Sequence, residues 1–320
     1  MSSTRRLTTI VASITAALLC APALAEDTKV AIAISGWTGF APLTLANEAG
    51  LFKKNGLDVT IKKIPQKDRH LAIASGDVQC AATTVETWVS WNANGVATTQ
   101  IFQLDKSYGA DGLVVKPAIM KITDLKGKTV AASAPGTSPY FGLAWILKKN
   151  GLSVKDVKVL TLEPQPVANA MIAGTTDFDG GMTYEPYLSA VRAKPEAGKI
   201  IATTLDYPMV MDTFGCSPKF LKENPKAAKA LADSYFDALD MIKKDPKKSF
   251  EIMGADVKQS GEAFEKSAAY LRWQDRAANQ KFFAGEHQQF TKEAADLLLE
   301  IGVIKQIPDL KGLADTSFIK

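Results

Sequence analysis

Predicted strands and helices alternate over the first third of the chain, and this alternation restricts the fold more than any other feature. Apolar runs typical of strands occupy residues 30–34, 59–63, 78–82, 99–104 and 112–115. Helical spacing of apolar residues separates these runs at 41–54, 69–75 and 85–92. This order predicts an α/β fold with a mostly parallel sheet, whose ligands bind beyond the carboxyl ends of the strands.

A second block repeats the pattern after Lys116-Pro117. It contains predicted strands at 129–132, 157–162, 178–182 and 199–204 and predicted helices at 139–149, 167–173 and 187–194. The sequence Lys-Lys-Asn-Gly-Leu occurs in both blocks, at 53–57 and 148–152, between a helix and a strand. Two similar lobes explain this repeat, and so does one helix-ending sequence used twice, because Asn-Gly suits the end of a helix.

The chain is therefore predicted to form two α/β lobes with a hinge and a central cleft. We assign residues 26–113 and 210–320 to lobe I. Its C-terminal part is predicted to be helical at 225–245, 246–253, 260–271 and 280–301. Residues 114–209 form lobe II, and the two crossings that make the hinge are expected near 112–117 and 206–212.

Residues 1–25 have the features of a signal peptide. Arg5-Arg6 precede a mostly apolar stretch, residues 7–19, that is too short to span a bilayer, and Ala23-Leu24-Ala25 fits a cleavage site. Cys80 and Cys216 remain after cleavage, and an exported protein can oxidise them. Both a disulfide and two buried thiols are compatible with these positions.

Composition and motifs argue against several classes of function. The net charge of +4 includes the two arginines of the signal peptide, and the other basic residues are scattered, unlike the concentrated patch of a nucleic-acid-binding protein. His70 and His287 lack the spacing of metal ligands, and the sequence has neither a P-loop nor a G-x-S-x-G motif. We therefore expect a protein that is not an enzyme and that binds no cofactor, no metal and no nucleic acid.

Several segments resemble a known family. Residues 36–43, Gly-Trp-Thr-Gly-Phe-Ala-Pro-Leu, and residues 46–59 are similar to the opening of periplasmic solute-binding proteins of the nitrate, sulfonate and taurine type, and so are residues 76–84 and 124–130. The resemblance implies a type II periplasmic binding protein fold. It also implies a monomer in the periplasm that delivers a small solute to the permease and ATPase of an ABC importer. A distant branch of the fold synthesises a thiamine pyrimidine precursor with a cysteine-rich motif that is absent from this sequence.

Four turns that precede predicted helices should face the cleft, at 36–39, 83–86, 134–138 and 182–185. Free N–H groups at helix N-termini favour anions, and the hydroxyl groups in these turns suit both ligand binding and N-capping. Carboxylates gather at the same turns and crossings, whereas no arginine does and Lys106 is the nearest basic residue. The predicted ligand-binding residues are Trp37, Thr38, Gly39, Thr84, Glu86, Asp105, Asp111, Gly136, Thr137, Ser138, Glu185 and Asp212.

The carboxylates favour a ligand that carries a positive group, because like charges repel strongly where water is excluded. The predicted ligand is a small polar solute with an amine, such as taurine or another aminosulfonate, which would use helix ends and a carboxylate together. Guanidinium-like cations and pyrimidines are alternatives, and nitrate or a plain sulfonate fits the acidic residues less well. A glutamate in the first turn of a helix is also explained by the helix dipole alone, as for Glu86 and Glu185.

Overall fold

The computed structural model describes residues 26–320, and the predicted signal peptide, residues 1–25, lies outside this part of the chain. The described residues form two β-sheets with helices packed around them. The strands are β1 (Thr28–Ile34), β2 (Leu57–Lys63), β3 (Cys80–Thr84), β4 (Thr99–Ser107), β5 (Asp111–Val115), β6 (Thr129–Ala132), β7 (Lys158–Thr161), β8 (Gly180–Tyr184), β9 (Lys199–Thr203), β10 (Met211–Cys216) and β11 (Leu271–Trp273).

Helices connect most of the strands and make up most of the chain after Cys216. They are α1 (Ala41–Glu48), α2 (Leu51–Lys54), α3 (Gln66–Ala74), α4 (Val85–Ala93), α5 (Ser138–Lys149), α6 (Pro164–Ala173), α7 (Tyr187–Arg192), α8 (Pro218–Glu223), α9 (Pro225–Lys244), α10 (Pro246–Asp256), α11 (Gly261–Ala268), α12 (Arg276–Lys281) and α13 (His287–Glu300). A 3₁₀ turn, Thr38–Phe40, precedes α1.

The first sheet has the strand order β11-β4-β10-β3-β1-β2. Strands β1, β2 and β3 are parallel, and β10 runs antiparallel between β3 and β4. Because β10 returns the chain from the second sheet, it places Cys216 directly opposite Cys80 of β3. The two cysteines form a disulfide, which decides between the two alternatives that the sequence left open.

The second sheet has the order β7-β6-β8-β5-β9. Strand β6 is parallel to β7 and β8, and β5 runs antiparallel between β8 and β9. The predicted α/β fold with two separate sheets is confirmed.

The first crossing between the sheets comes earlier than the sequence suggested. Strand β5 begins at Asp111 and pairs with β8 along its whole length, so the chain leaves the first sheet between Ser107 and Asp111. The lobe boundary placed between residues 113 and 114 therefore falls inside a strand of the second sheet. A run of apolar residues shows that a strand exists but does not show which sheet it joins, and this is why the boundary is displaced.

Hydrogen bonds join the two crossings to each other. The hydroxyl oxygens of Ser107 and Thr204 lie 2.6 Å apart, and the backbone N–H of Gly109 donates to Thr204 Oγ1 at 2.9 Å. The backbone N–H of Asp111 donates to Ser107 Oγ at 3.1 Å. These bonds hold the first residue of β5 beside the end of the first sheet.

Three other elements differ from the expectation. The helix predicted at 41–54 is divided into α1 and α2 at Gly50, whose φ of +70° is readily adopted only by glycine. The strand predicted at 78–82 lies two residues later, as β3. Strand β11 has no counterpart in the prediction, whose helix 260–271 ends at the first residue of this strand, because three residues that pair with β4 carry too little pattern to identify a strand.

Aromatic side chains fill the core and join the lobes. Phe102 of β4 stacks on Phe214 of β10, with ring centroids 5.0 Å apart. Phe290 of α13 packs against Trp145 of α5, with centroids 5.9 Å apart, so the C-terminal helices reach across to the second lobe. Among residues 26–320, no helix has the length and apolar character needed to cross a membrane.

Candidate functional site

The two lobes enclose a small cavity of about 30 Å³ beyond the carboxyl ends of β1, β3 and β8, where α/β proteins bind their ligands. This space suits one or two water-sized groups. We call it the inner cavity. Its lining residues are Ser35, Trp37, Phe40, Gln66, Arg69, Thr84, Asp111, Ser138, Tyr184, Val210 and Asp212.

The pairing of three neighbouring strands brings acidic side chains together. Asp212 of β10 lies opposite Thr84 of β3 on one side and opposite Asp105 of β4 on the other. Directly opposed residues of antiparallel strands point to the same face of the sheet. The side chains of Asp105 and Asp212 are therefore neighbours although they are far apart in the sequence.

Glu86 and Asp111 complete a carboxyl cluster, which consists of Glu86, Asp105, Asp111 and Asp212. Glu86 lies in the first turn of α4, is 1% exposed and accepts a hydrogen bond from the Thr84 hydroxyl. Asp111 lies at the crossing between the sheets and is 5% exposed. Asp105 and Asp212 are buried as well, so all four carboxyl groups lie inside the protein.

Five oxygen atoms of the carboxyl cluster have no hydrogen-bond partner among residues 26–320. They are Glu86 Oε2, Asp105 Oδ1 and Oδ2, Asp111 Oδ2 and Asp212 Oδ2. Leaving a buried polar atom without a partner costs about 1–3 kcal/mol, and more for a charged group. Native proteins seldom retain several such atoms together without a functional reason. The cluster therefore indicates a site for a hydrogen-bond donor that comes from outside the chain.

Burial raises the pKa of each carboxyl group in the cluster. The pKa of Glu86 rises to about 8 and that of Asp111 to about 7. The pKa values of Asp105 and Asp212 lie well above their usual range, because burial disfavours the charged form and the neighbouring carboxyls add repulsion. Near neutral pH the cluster therefore holds protons that a positively charged group would displace.

An arginine lies beside these carboxyls, which corrects the expectation that Lys106 would be the nearest basic residue. Arg69 of α3 is 1% exposed, and its Nε and Nη1 donate to the carbonyl oxygens of Ile64 and Ala82 at 2.9 and 2.6 Å. Its Nη2 has no partner in the described part of the chain. Burial lowers the pKa of Arg69 to about 10, so the guanidinium stays charged at neutral pH.

The turn before α1 holds Trp37 against the carboxyl cluster. A methyl group on Gly39 would overlap the Asp105 carboxyl and the Trp37 indole nitrogen, so a glycine is required at this position. Trp37 Nε1 and Thr38 Oγ1 are buried and find no well-aligned hydrogen-bond partner within the described residues, and the indole N–H lies close enough to the Asp105 carboxyl to oppose the rise in its pKa. Trp37 thus provides the cavity with an aromatic wall.

The second lobe closes the inner cavity from the other side. Tyr184, the last residue of β8, packs edge-on against Trp37 with ring centroids 5.4 Å apart. The backbone N–H of Ser138 donates to Gln66 Oε1 at 3.2 Å. Ser138 Oγ lines the cavity and has no partner between residues 26 and 320. Because these contacts join the lobes, the structure shows a closed arrangement.

Comparison with known proteins identifies the family. Residues 37–249 match the family described as NMT1/THI5 like, which is more than half of the chain. The chain belongs to the NMT1/THI5-like family. This finding confirms the predicted resemblance, which rested on residues at the start of the same region.

A curated relative of this NMT1/THI5-like protein is the taurine-binding periplasmic protein of Escherichia coli (strain K12). It is 28% identical over 216 residues, which are 65% of this chain and 65% of that protein, so the match spans slightly less than two thirds of the relative.

Solved structures show the fold. The alkanesulfonate-binding protein SsuA from Xanthomonas axonopodis pv. citri, bound to MOPS, has a TM-score of 0.79 and 18% identity, and the match covers 92% of this chain and 100% of that one. The periplasmic nitrate-binding protein NrtA from Synechocystis PCC 6803 has a TM-score of 0.70 and 17% identity, with 87% and 83% covered. The predicted periplasmic binding protein fold is confirmed.

The structure of this NMT1/THI5-like chain brings most of the predicted site residues together. Trp37, Thr84, Asp111, Ser138 and Asp212 line the inner cavity. Glu86 accepts a hydrogen bond from the lining residue Thr84, and Asp105 lies opposite the lining residue Asp212. Thr38 and Gly39 adjoin Trp37.

Gly136, Thr137 and Glu185 are not among the lining residues. The Glu185 carboxylate pairs with Arg192 and accepts a hydrogen bond from the Ser189 N–H at 3.1 Å. The Thr137 hydroxyl donates to the Ala134 carbonyl at 2.7 Å, and Gly136 has a φ of +86° in the same turn. Each of these residues therefore has a local structural role.

Sequence reasoning missed Arg69 and Gln66, and Tyr184 was expected near the cleft as part of the turn at 182–185 but was not among the predicted ligand-binding residues. Arg69 was placed at the start of a predicted helix, but α3 begins at Gln66, so Arg69 lies one turn inside it. The one available signal was that Gln66 and Arg69 are three residues apart and share a helix face. No pattern in the sequence indicates that this face points into the cavity. Within the described residues, no three His, Cys, Asp or Glu side chains are arranged to hold a metal ion.

Proposed function

We propose that the protein is the periplasmic substrate-binding component of an ABC importer, and that it binds a small amine-bearing solute in the inner cavity. The observation that carries this proposal is that Asp111 and Asp212, which line the closed interlobe cavity, each have a buried carboxyl oxygen without a partner among residues 26–320. The neighbouring Glu86 and Asp105 hold three more such oxygens. An ammonium group has three donors and no acceptor, so it satisfies several of these oxygens at once. Hydrogen bonds between charged groups are also among the stronger ones.

The balance of charges supports a positively charged head group. Four carboxyl groups face a single guanidinium, that of Arg69, so an added cation reduces the repulsion within the cluster. Trp37 adds an aromatic wall, against which a cation is favourably placed. A nitrate or plain sulfonate would add a negative charge beside the carboxyls, with little water to screen the repulsion.

Arg69 and Ser138 make an aminosulfonate one candidate among the amine-bearing solutes. Arg69 Nη2 and the Ser138 hydroxyl line the same cavity, and neither has a partner inside the described chain. A zwitterion such as taurine would place its anionic end on these donors and its amine on the carboxyls, which requires a less tightly closed cleft, because the inner cavity of about 30 Å³ holds one or two water-sized groups. Guanidinium-like cations are the second candidate, because they use the same carboxyl oxygens and the Trp37 face.

Several features support import rather than catalysis. The two-lobed fold is shared with the sulfonate-binding and nitrate-binding proteins named above, and lobes of this kind close around a ligand at a hinge. The disulfide between Cys80 and Cys216 suits an oxidising compartment such as the periplasm. We propose that a monomer carries the solute to the permease and ATPase of the importer.

Calorimetric titration of the purified protein tests the ligand class. Taurine and ethylamine should bind, whereas ethanesulfonate and nitrate should bind at least about 100-fold more weakly, since they leave the carboxyls unpaired. Tight binding of ethanesulfonate or nitrate without binding of either amine would overturn the proposal.

A single substitution tests the role of the carboxyl cluster. Asp212→Asn keeps the shape of the side chain and removes its charge, so it should weaken ethylamine binding about 30- to 100-fold. The matched control is Asp240→Asn, because Asp240 is exposed on α9 and its side chain is 75% accessible. Equal affinities of the two variants would contradict the proposed site.

A further inference from the structure

A second and larger cavity, of about 240 Å³, adjoins the inner cavity. We call it the outer chamber. Residues of both lobes line it, among them Ile64, Glu163, Tyr184 and Tyr187. Ser35, Gln66 and Tyr184 line both spaces. The two spaces therefore adjoin each other at these three residues.

Both lobes form the walls of the outer chamber. Residues 35–36 and 63–66 belong to the first lobe, and the remaining lining residues belong to the second. Tyr187 reaches across the cleft, since a Cβ atom on Gly36 would lie 3.2 Å from its hydroxyl oxygen. Closure of the lobes thus completes the outer chamber as well as the inner cavity.

Seven of the fourteen residues that line the outer chamber are apolar or aromatic. The rings of Tyr184 and Tyr187 have centroids 5.8 Å apart, and Ile64 and four proline residues line the same space. Surfaces of this kind bind flat or apolar groups by excluding water from both partners.

The two charged side chains of the outer chamber already have partners. Lys63 Nζ lies 2.5 Å from Asp256 Oδ2, and Glu163 Oε2 accepts a hydrogen bond from the Ser133 hydroxyl at 3.3 Å. This contrasts with the inner cavity, where the charged groups retain unpaired atoms within residues 26–320. Asp256 neutralises Lys63, and the Glu163 carboxylate disfavours an anionic group, so the outer chamber suits an uncharged part of a ligand.

The sizes of the two spaces suit different parts of one molecule. The inner cavity has room for a head group only, whereas the outer chamber has the volume of about eight water molecules. A phenyl ring with one or two further atoms has a comparable number of heavy atoms. Taurine would leave most of the outer chamber without contacts.

We infer that the solute has two parts, an ammonium head in the inner cavity and a flat or apolar body of about eight heavy atoms in the outer chamber. This inference rests on the proposed function, because it assumes that the carboxyl cluster binds the amine. It adds that the outer chamber selects the body and favours arylalkylamines over the smallest amines.

A pair of ligands with the same head group tests the inference by calorimetric titration. Ethylamine and 2-phenylethylamine both carry a primary ammonium, and only the second has a body for the outer chamber. We expect 2-phenylethylamine to bind at least about 30-fold more tightly, because its ring loses contact with water.

Variants in the two spaces separate the two parts. Tyr187→Ala removes a wall of the outer chamber and should weaken 2-phenylethylamine at least about tenfold and ethylamine less than about twofold. Asp212→Asn should weaken both amines by the same factor. Leu160→Ala is the matched control, because Leu160 is an exposed apolar residue of the same lobe, 39% accessible, that lines neither space. A thermal melt of each variant shows that it is folded.

The outcomes distinguish this inference from the proposed function. If ethylamine binds and 2-phenylethylamine binds no more tightly, the inference of a two-part solute is wrong, but the proposed amine site is supported. If Tyr187→Ala weakens both amines equally, Tyr187 acts on closure and the selective outer chamber is wrong. If neither amine binds, the proposed amine site and this inference both fall.

Discussion

The two lobes provide different chemistry to the same cleft. The first lobe provides charged groups, namely Arg69, Glu86, Asp105 and Asp212, which are all buried. The second lobe provides one carboxyl of the cluster, that of Asp111 in β5, together with the Ser138 hydroxyl, two tyrosine rings and three prolines. Under the proposed function, the first lobe selects the head group of the ligand, and the second lobe closes over it and selects the body.

The first lobe also has the more rigid support. The disulfide joins Cys80 of β3 to Cys216 of β10. Thr84 and Asp212, which lie opposite each other on the same two strands, are four residues away from these cysteines. Asp212 therefore lies on a strand pair whose opposite end is cross-linked by the disulfide. Buried charges need such support, because the carboxyls would otherwise separate or draw in water to relieve their repulsion.

The largest expected effect comes from removing the arginine of the first lobe. Arg69→Met leaves the carbonyl oxygens of Ile64 and Ala82 without their donor and the carboxyl cluster without its nearest positive charge. We expect the free energy of unfolding to fall by about 3–5 kcal/mol, measured by urea titration. Arg272→Met, at an exposed position, is the control and should change it by less than about 1 kcal/mol. If the free energy of unfolding falls by a similar small amount in both variants, the carboxyl groups of the first lobe do not need the positive charge of Arg69.

The next largest effect is expected from removing the disulfide of the first lobe. Replacing Cys80 and Cys216 by serine removes a cross-link over 136 residues and should cost about 2–5 kcal/mol in the free energy of unfolding. Hydrogen exchange should increase most in β3 and β10 and least in β6 and β8 of the second sheet. Equal increases in both sheets would show that the lobes do not differ in their support.

A smaller effect is expected from pH. Folding raises the pKa values of Glu86 and Asp111 to about 8 and about 7, so between about pH 4 and pH 8 the folded protein binds more protons than the unfolded chain. The free energy of unfolding of the ligand-free protein should therefore fall as the pH rises through this window, by roughly 2 kcal/mol or more for Glu86.

Thermal melts between pH 5 and pH 9 measure this slope. Glu86→Gln should make it shallower, since the glutamine does not titrate. Glu262→Gln is the control, because Glu262 is exposed and Lys266 beside it lowers its pKa. A slope that is the same in wild type and in Glu86→Gln would show that the buried carboxyls do not titrate in this range.

Much of the candidate site could be predicted from local patterns. Trp37, Thr84 and Ser138 lie in turns between a strand and a helix, and such turns are visible in the sequence. Asp111 and Asp212 were selected because they lie near the crossings between the two blocks. Gly136, Thr137 and Glu185 lie in turns of the same kind but do not line the inner cavity, so position in a turn does not decide which way a side chain points.

The sequence by itself determined the alternation of strands and helices, the two-block organisation and the acidic character of the strand ends, because these depend on residue spacing within one segment. Only the tertiary structure decided that β5 joins the second sheet, that Arg69 lies beside the carboxyls and that Cys80 faces Cys216. The physical reason is that strand β10 returns between β3 and β4, and this non-local pairing determines which distant side chains become neighbours.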